Sequence, residues 1–143
     1  MPKSTTTCNN LLKLLFNATA WANIADNAAA SPLTNLYLSL HTADPGVGNA
    51  QTTNEIAYTN YARIPIARTS GGWTVSTNSV TNAALAQFAQ CGVTGGTATH
   101  VAIGTDASGA GNVLYAGALN SSLAISNGIQ PQFAGSALTA TET

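Results

Sequence analysis

The spacing of apolar and polar positions changes character once along the chain. Between residue 4 and residue 17, apolar side chains recur at Cys8, Leu11, Leu12, Leu15 and Phe16 among others. Those intervals put the named residues on one face of a helix. Ser4, Thr5 and Thr6 offer N-caps, because a side-chain oxygen there accepts from the first free backbone N–H groups. Asn17 and Thr19 weaken the helix at its far end. Trp21, Ile24 and Ala25 are read as one further turn. Ser31-Pro32 then closes helical structure, since a residue before proline is pushed toward extended geometry. Such a helix either docks on a partner or covers one end of its own sheet; the second reading is the simpler.

Beyond it the period becomes two. Leu36, Leu38 and Leu40 alternate with Tyr37, Ser39 and His41, the mark of a half-buried strand. Asp44-Pro45-Gly46 follows as loop chemistry, with a fixed φ, a side-chain acceptor and a residue that tolerates positive φ. Residues 42–60 show no strand pattern and are closed by Tyr58 and Tyr61. A loop of that length in a compact domain is usually functional or packed against something. Residues 63–68 alternate again, but Pro65 cannot donate to a ladder, so an edge strand or bulge is expected. Short strands are expected around Trp73 and Val75, around Val80 and Asn82, and at 85–88, 97–103, 113–119, 123–125, 129–133 and 137–140. Asn127-Gly128 signals a hairpin between the 123–125 and 129–133 runs. Strands this short and regular, separated by glycine-rich turns, predict a mainly β fold. The expected form is a β-sandwich or jelly roll behind one N-terminal α-helix. Residues 1–34 form the helical segment and residues 35–143 the β-sandwich domain, together one compact unit.

Composition narrows what such a scaffold does. A chain of 143 residues can bury one real core. Charged residues make up only 6% of it, against roughly 25% in an ordinary soluble domain. The cations are Lys3, Lys13, Arg63 and Arg68; the acids are Asp26, Asp44, Glu55, Asp106 and Glu142. A net charge of −1 gives little repulsion between copies and favours association. Nucleic acid is not an expected partner, because its phosphates need clustered Lys or Arg. A membrane is not expected either, since no apolar run approaches the ~20 residues of a bilayer span. Lys13 breaks the run at residues 11–16, so a secretory signal fits poorly. Cys8 and Cys91 are expected as buried free thiols, with no C-x-x-C pair for metal or redox work.

Chemistry is hard to find. His41 and His100 each sit in a strand pattern, where a hydrogen-bonded structural histidine is the simpler reading. His41 with Asp44 could orient a nucleophile, yet no G-x-S-x-G elbow accompanies them. The carboxylates are too scattered for a glycosidase pair and suit turns and caps better. Residues 104–111 are glycine-rich but lack the lysine of a phosphate loop and the spaced acids of a calcium loop, and a β-turn explains them. The expectation is therefore no enzyme, with no catalytic, cofactor-binding or metal-binding residue.

The order of several stretches is more telling than any one of them. Leu36-Tyr37-Leu38-Ser39-Leu40-His41-Thr42-Ala43-Asp44-Pro45-Gly46, then Glu55, then Tyr61-Ala62-Arg63, resembles a pattern in small virion proteins of tailed bacteriophages. Thr99-His100-Val101-Ala102-Ile103-Gly104, Leu114-Tyr115-Ala116-Gly117-Ala118-Leu119 and Gln132-Phe133-Ala134-Gly135-Ser136-Ala137-Leu138 resemble the same group. So do the helix opening at Lys3-Ser4-Thr5 and the 21–32 region, so the resemblance covers nearly the whole chain. Members often carry a tail-fibre label, and β-sandwich proteins of this size also serve as capsid decoration (cement) proteins.

Neither heptads nor internal repeats supply a fibre shaft here, while many weak contacts repeated over a shell give avidity without strong single sites. The first expectation is thus a head-decoration (minor capsid) protein on the capsid exterior, made in the bacterial host cytoplasm, that binds and stabilises the major capsid protein. Its other partner would be itself, as a homo-oligomer, with a trimer first and a dimer second. The alternative is a tail-fibre or tail-tip module that contacts host-surface glycans. Candidate partner contacts are Lys3, Ser4 and Thr5 at the N-terminus, with Asp44, Pro45, Gly46, Tyr58 and Tyr61 around the long loop. For the glycan reading, Tyr37, Tyr58, Tyr61 and Trp73 could stack on sugars, unless Trp73 and a tyrosine are core residues.

Overall fold

A computed structural model describes residues 3–21, 32–46 and 49–143. Among the described residues the chain is mainly β, with one helix, at the N-terminal side, and several antiparallel sheets, as the pattern predicts. In order come α1 (Thr5–Phe16), β1 (Asn35–His41), β2 (Ile64–Ala67), β3 (Trp73–Ser76), β4 (Ser79–Asn82), β5 (Ala86–Gln87), β6 (Gly96–Gly104), β7 (Val113–Ile125), β8 (Gln132–Phe133) and β9 (Thr139–Thr141). The sheets run β2-β1-β6-β7, β3-β4-β9 and β5-β8.

Contacts divide the chain into two compact units that interleave in sequence. One comprises Met1–Asn35, Ile66–Ala86 and Phe133–Thr143; the other comprises Leu36–Pro65 and Gln87–Gln132.

In the first unit the helix packs on β3 and β4. Ser4 is its N-cap, its side chain accepting from the Thr7 N–H at 3.1 Å. Cys8, Leu12 and Phe16 are buried, a stripe at intervals of four, while Leu11 and Leu15 sit at its margin. Phe16 meets Trp73 edge to face, with ring centroids 4.8 Å apart, the geometry aromatic quadrupoles prefer. At the helix end, Asn17 and Thr19 donate their N–H groups to Lys13 O. Arg68 takes the next carbonyls, donating from Nη2 to Leu14 O at 2.8 Å and from Nε to Leu15 O at 2.6 Å. Its third arm donates from Nη1 to Leu33 O at 2.7 Å. Carbonyls that a helix end leaves without partners are thereby satisfied by a cation, which also suits the helix dipole.

Asn82 closes the far side of the same unit. It is 1% exposed, donates to Ala84 O and Ala134 O, and accepts from the Leu138 N–H. All its groups that matter are bonded, which is what a buried amide requires.

The second unit is built on β1 and β6, paired from Tyr37↔Gly104 to His41↔His100. Leu36, Leu38 and Leu40 are buried on one face, as the alternation predicts. The other face differs from expectation: Ser39 and His41 are both 0% exposed, so the end of the strand is covered on both sides. The long loop does the covering. Its Ile56 N–H donates to Leu40 O, and the Thr42 N–H donates to Asn54 O, which carries the hydrogen bonding of β1 onward.

The expected hairpin at Asn127-Gly128 also needs correction. The turn exists, with Gly128 at φ +85° and the Ile129 N–H donating to Ser126 O. Its flanks do not pair as expected, however. Residues 113–125 form one strand on β6, and β8 pairs with β5. Pro131 accounts for part of this, because it removes a donor from the returning arm. Trp21 is not helical, and Ile24 and Ala25 lie outside the described residues. Cys8 and Cys91 are buried free thiols.

Candidate functional site

The best-defined feature of the second unit is the lock on its long loop. Asp44, Pro45 and Gly46 start it with an Asx turn, the Gly46 N–H donating to Asp44 Oδ1 at 2.8 Å. Gly46 stands at φ +70°, which favours glycine, and a Cβ there would displace the Asn49 side chain, whose Nδ2 lies 2.7 Å away. Asn49 and Asn54 reach back to Pro45 O and Asp44 O. The loop therefore bonds to itself before it bonds to anything else.

Its second half is held by a buried ion pair. Arg63 Nε and Nη2 donate to Glu55 Oε1 and Oε2, each at 2.7 Å, in the bidentate geometry that suits a guanidinium. The remaining donors reach the β6–β7 connection: Nη1 to Asp106 O and Nη2 to Gly109 O, both at 2.8 Å. The bonds from Glu55 hold the Arg63 pKa above its ordinary value, against the opposing effect of burial. The Tyr61 hydroxyl donates to Glu55 Oε1 at 2.9 Å and accepts from the Leu40 N–H at 3.1 Å. Burial raises the Tyr61 pKa, so the phenol keeps its proton. Four segments meet at one carboxylate–guanidinium pair.

Gln51 fastens the same two loops from inside. It is 0% exposed; its N–H donates to Ala110 O, and its Oε1 accepts from the Asp106 N–H. Gly104 and Gly111 leave room for its carboxamide, and a Cβ on either would overlap it.

His41 completes the interior. Its Nδ1 lies 2.9 Å from Thr53 O, which can only accept, so Nδ1 carries the proton. Nε2 then accepts from the Ser39 hydroxyl at 2.8 Å. Burial lowers the His41 pKa, with the Thr53 bond and the nearby Glu55 charge opposing it. This serine–histidine pair has the distances of a nucleophile and base, but no solvent reaches either residue. Asp44 is exposed and bonded to Gly46, away from a triad role.

The expected partner contacts fall in two places. Lys3, Ser4 and Thr5 are exposed at the start of α1 in the first unit, where Lys3 pairs with Glu142 and Ser4 is occupied as the cap. In the second unit Asp44 is exposed, and Gly46 and Tyr61 are half-buried. Pro45 and Tyr58 are buried and present no surface to a partner. Tyr58 donates its hydroxyl to Ala89 O at 2.8 Å, and burial raises its pKa. Trp73 is 1% exposed, so the stacking surface considered from sequence loses Trp73 and Tyr58 to the cores. Arg63, Gln51 and Asn82 are not among the expected partner contacts. In a chain this poor in charge, Glu55 and Arg63 astride a pair of tyrosines carry a readable signal. Gln51 and Asn82 carry none, being two amides among many.

The described part of the second unit is thus a charge-poor β scaffold whose interior is fastened by the Arg63–Glu55 pair. Residues 2–141 match the family described as podophage GP4 fiber I protein gp80, and the chain belongs to that family. It is a structural protein of the phage particle. No curated protein matches the chain. Among the described residues, no helix is long and apolar enough to cross a membrane.

Proposed function

We propose that the chain is a fibre-associated module on the tail side of the particle that contacts host-surface polysaccharide. The observation that carries this reading is the match of residues 2–141 to a fiber protein family. The geometry supports it in two respects. A loop locked by Arg63 and Glu55 meets its target in one conformation, so little ordering entropy opposes binding. Its exposed groups include Thr42, Asp44, Thr52 and Asn54, which suit hydrogen bonds to sugar hydroxyls more than contact with a charged partner. We read the role as structural; the Ser39–His41 pair, though at catalytic distances, is sealed from solvent and offers no nucleophile to a substrate.

Head decoration is the second reading, favoured by a sequence without heptads or repeats to build a shaft. Copy number per virion separates the two. A handful of copies relative to the major capsid protein, with immunogold label at the tail, fits the fibre reading. Hundreds of copies, with label over the shell, would replace it with decoration. Purified chain should also bind host cells, with free surface polysaccharide as competitor.

A further inference from the structure

The turn at Asn127-Gly128 is pinned by a second segment of the chain. Residues 126–129 make the turn, closed by the Ile129 N–H on Ser126 O at 2.9 Å, with Gly128 at φ +85°. Residues 88–91 run beside it. The Gly128 N–H donates to Cys91 O at 2.9 Å, the Cys91 N–H to Ile129 O at 2.8 Å and the Phe88 N–H to Pro131 O at 2.9 Å. Gln90 Nε2 donates to Gly128 O at 2.8 Å, and Gln130 Nε2 to Phe88 O at 3.0 Å. Cys91 is 2% exposed, whereas Asn127 and Gly128 lie on the surface. All of these residues belong to the second unit.

Asn127 is the only asparagine in the sequence that precedes glycine. Such a pair carries its own reactivity: the backbone nitrogen of the second residue can attack the asparagine carboxamide, and glycine, having no Cβ, puts nothing in the way. Attack requires that nitrogen to give up its proton, and here the N–H is held by Cys91 O. We infer that Asn127-Gly128 is a modification site, a deamidation site that the contact with residues 88–91 keeps latent and that reacts when this contact opens. The Gly128 N–H proton passes to hydroxide, and a bond forms between Gly128 N and Asn127 Cγ. The Cγ–Nδ2 bond breaks; the leaving nitrogen takes a proton from water and departs as ammonia, which returns the hydroxide. Water then opens the cyclic imide at either carbonyl, giving aspartate or isoaspartate at this position. Loss of ammonia makes the step irreversible, so the modified fraction accumulates with the time the contact has spent open. Each event adds one negative charge to a chain whose net charge is −1.

Peptide mapping of the full chain, held in mildly alkaline buffer and resolved for aspartate and isoaspartate, tests it. In the urea-unfolded chain Asn127 should convert before any other asparagine, and in the native chain it should convert at least about tenfold more slowly. Hydrogen exchange is the second measurement, because the Gly128 N–H must be freed for either reaction. The two slowing factors, native against unfolded, should agree within about threefold. Gln90→Ala removes one pin from an exposed position. It should raise the native rate about threefold to tenfold, the worth of one hydrogen bond. Native conversion as fast as unfolded, a rate that does not track exchange, a Gln90→Ala rate equal to wild type, or first reaction at another asparagine would each overturn the inference. The virion location plays no part in it, so the copy-number result and this one fail separately.

Discussion

Removing either member of the Glu55–Arg63 pair should cost far more than removing both. The side chains are 15% and 3% exposed, so the discount for surface ion pairs does not apply. In Arg63→Met, Glu55 keeps a single donor, the Tyr61 hydroxyl, and the Asp106 and Gly109 carbonyls lose theirs. In Glu55→Leu, a guanidinium stays inside with only those two carbonyls. Breaking a buried pair from one side typically costs roughly 3–5 kcal/mol, because an uncompensated charge is left behind. The double variant buries no charge. Its residual penalty comes from the two carbonyls, whose residues are exposed and can take water instead, and from the Tyr61 hydroxyl, which loses its acceptor, together roughly 1–2 kcal/mol. For a chain of this size, each single substitution should lower Tm by roughly 10 °C and the double by less than about half of that. Thermal unfolding followed by far-UV circular dichroism reads the shift. Hydrogen exchange in residues 50–56 and 105–112 should show the same order. Additive losses, or single variants within about 2 °C of wild type, would mean that the pair does not lock the loop.

Three further outcomes follow from the same interiors. His41 is held neutral by burial, so the unfolded chain binds more protons below pH 6.5 and stability should fall as pH drops through that point. Tm measured from pH 7.5 to 5 should show this slope, flattened in His41→Gln. Arg68→Lys should destabilise nearly as much as Arg68→Ala, roughly 1–3 kcal/mol, because an ammonium cannot span Leu14 O, Leu15 O and Leu33 O together; urea unfolding would detect the loss. Trp73→Phe should cost under about 1.5 kcal/mol and Trp73→Ala roughly 3–5, since the buried Trp73 Nε1 has no hydrogen-bond partner to lose. Equal penalties for the two would contradict that ordering.

Local patterns located most of the elements because each carried its own period or punctuation. The helix stripe, the alternation at 36–41 and the proline at 65 are written within a few residues, and α1, β1 and the edge strand β2 stand where they place them. Long-range choices left no such trace. A hairpin between 123–125 and 129–133 satisfies every local rule, yet one side of that pairing is taken by β6. Likewise, the alternation at β1 could not reveal that its polar face is buried, because the cover arrives from residues 51–56. Buried amides are the least legible of all: Asn82 and Gln51 look like the surface amides around them until their partners, at Ala134 and Asp106, are brought near.

The rarity of charge in this chain takes on a different meaning once its charged groups are placed. Arg63 and Glu55 face each other in the interior, Arg68 closes the helix, and Lys3 pairs with Glu142. Even Asp44 is engaged in turning its own loop. These charges act within their own unit, as clamps at positions where several segments must meet, while the exposed residues among those described are mostly Thr, Asn, Ser and Ala. Shape and hydrogen bonds, which salt screens weakly, are what such a surface has to offer. A particle component that must hold to its neighbours outside the cell, across varying ionic strength, is well served by that division. The charges fix how the segments within each unit meet, and polar uncharged groups make up most of what the described residues expose.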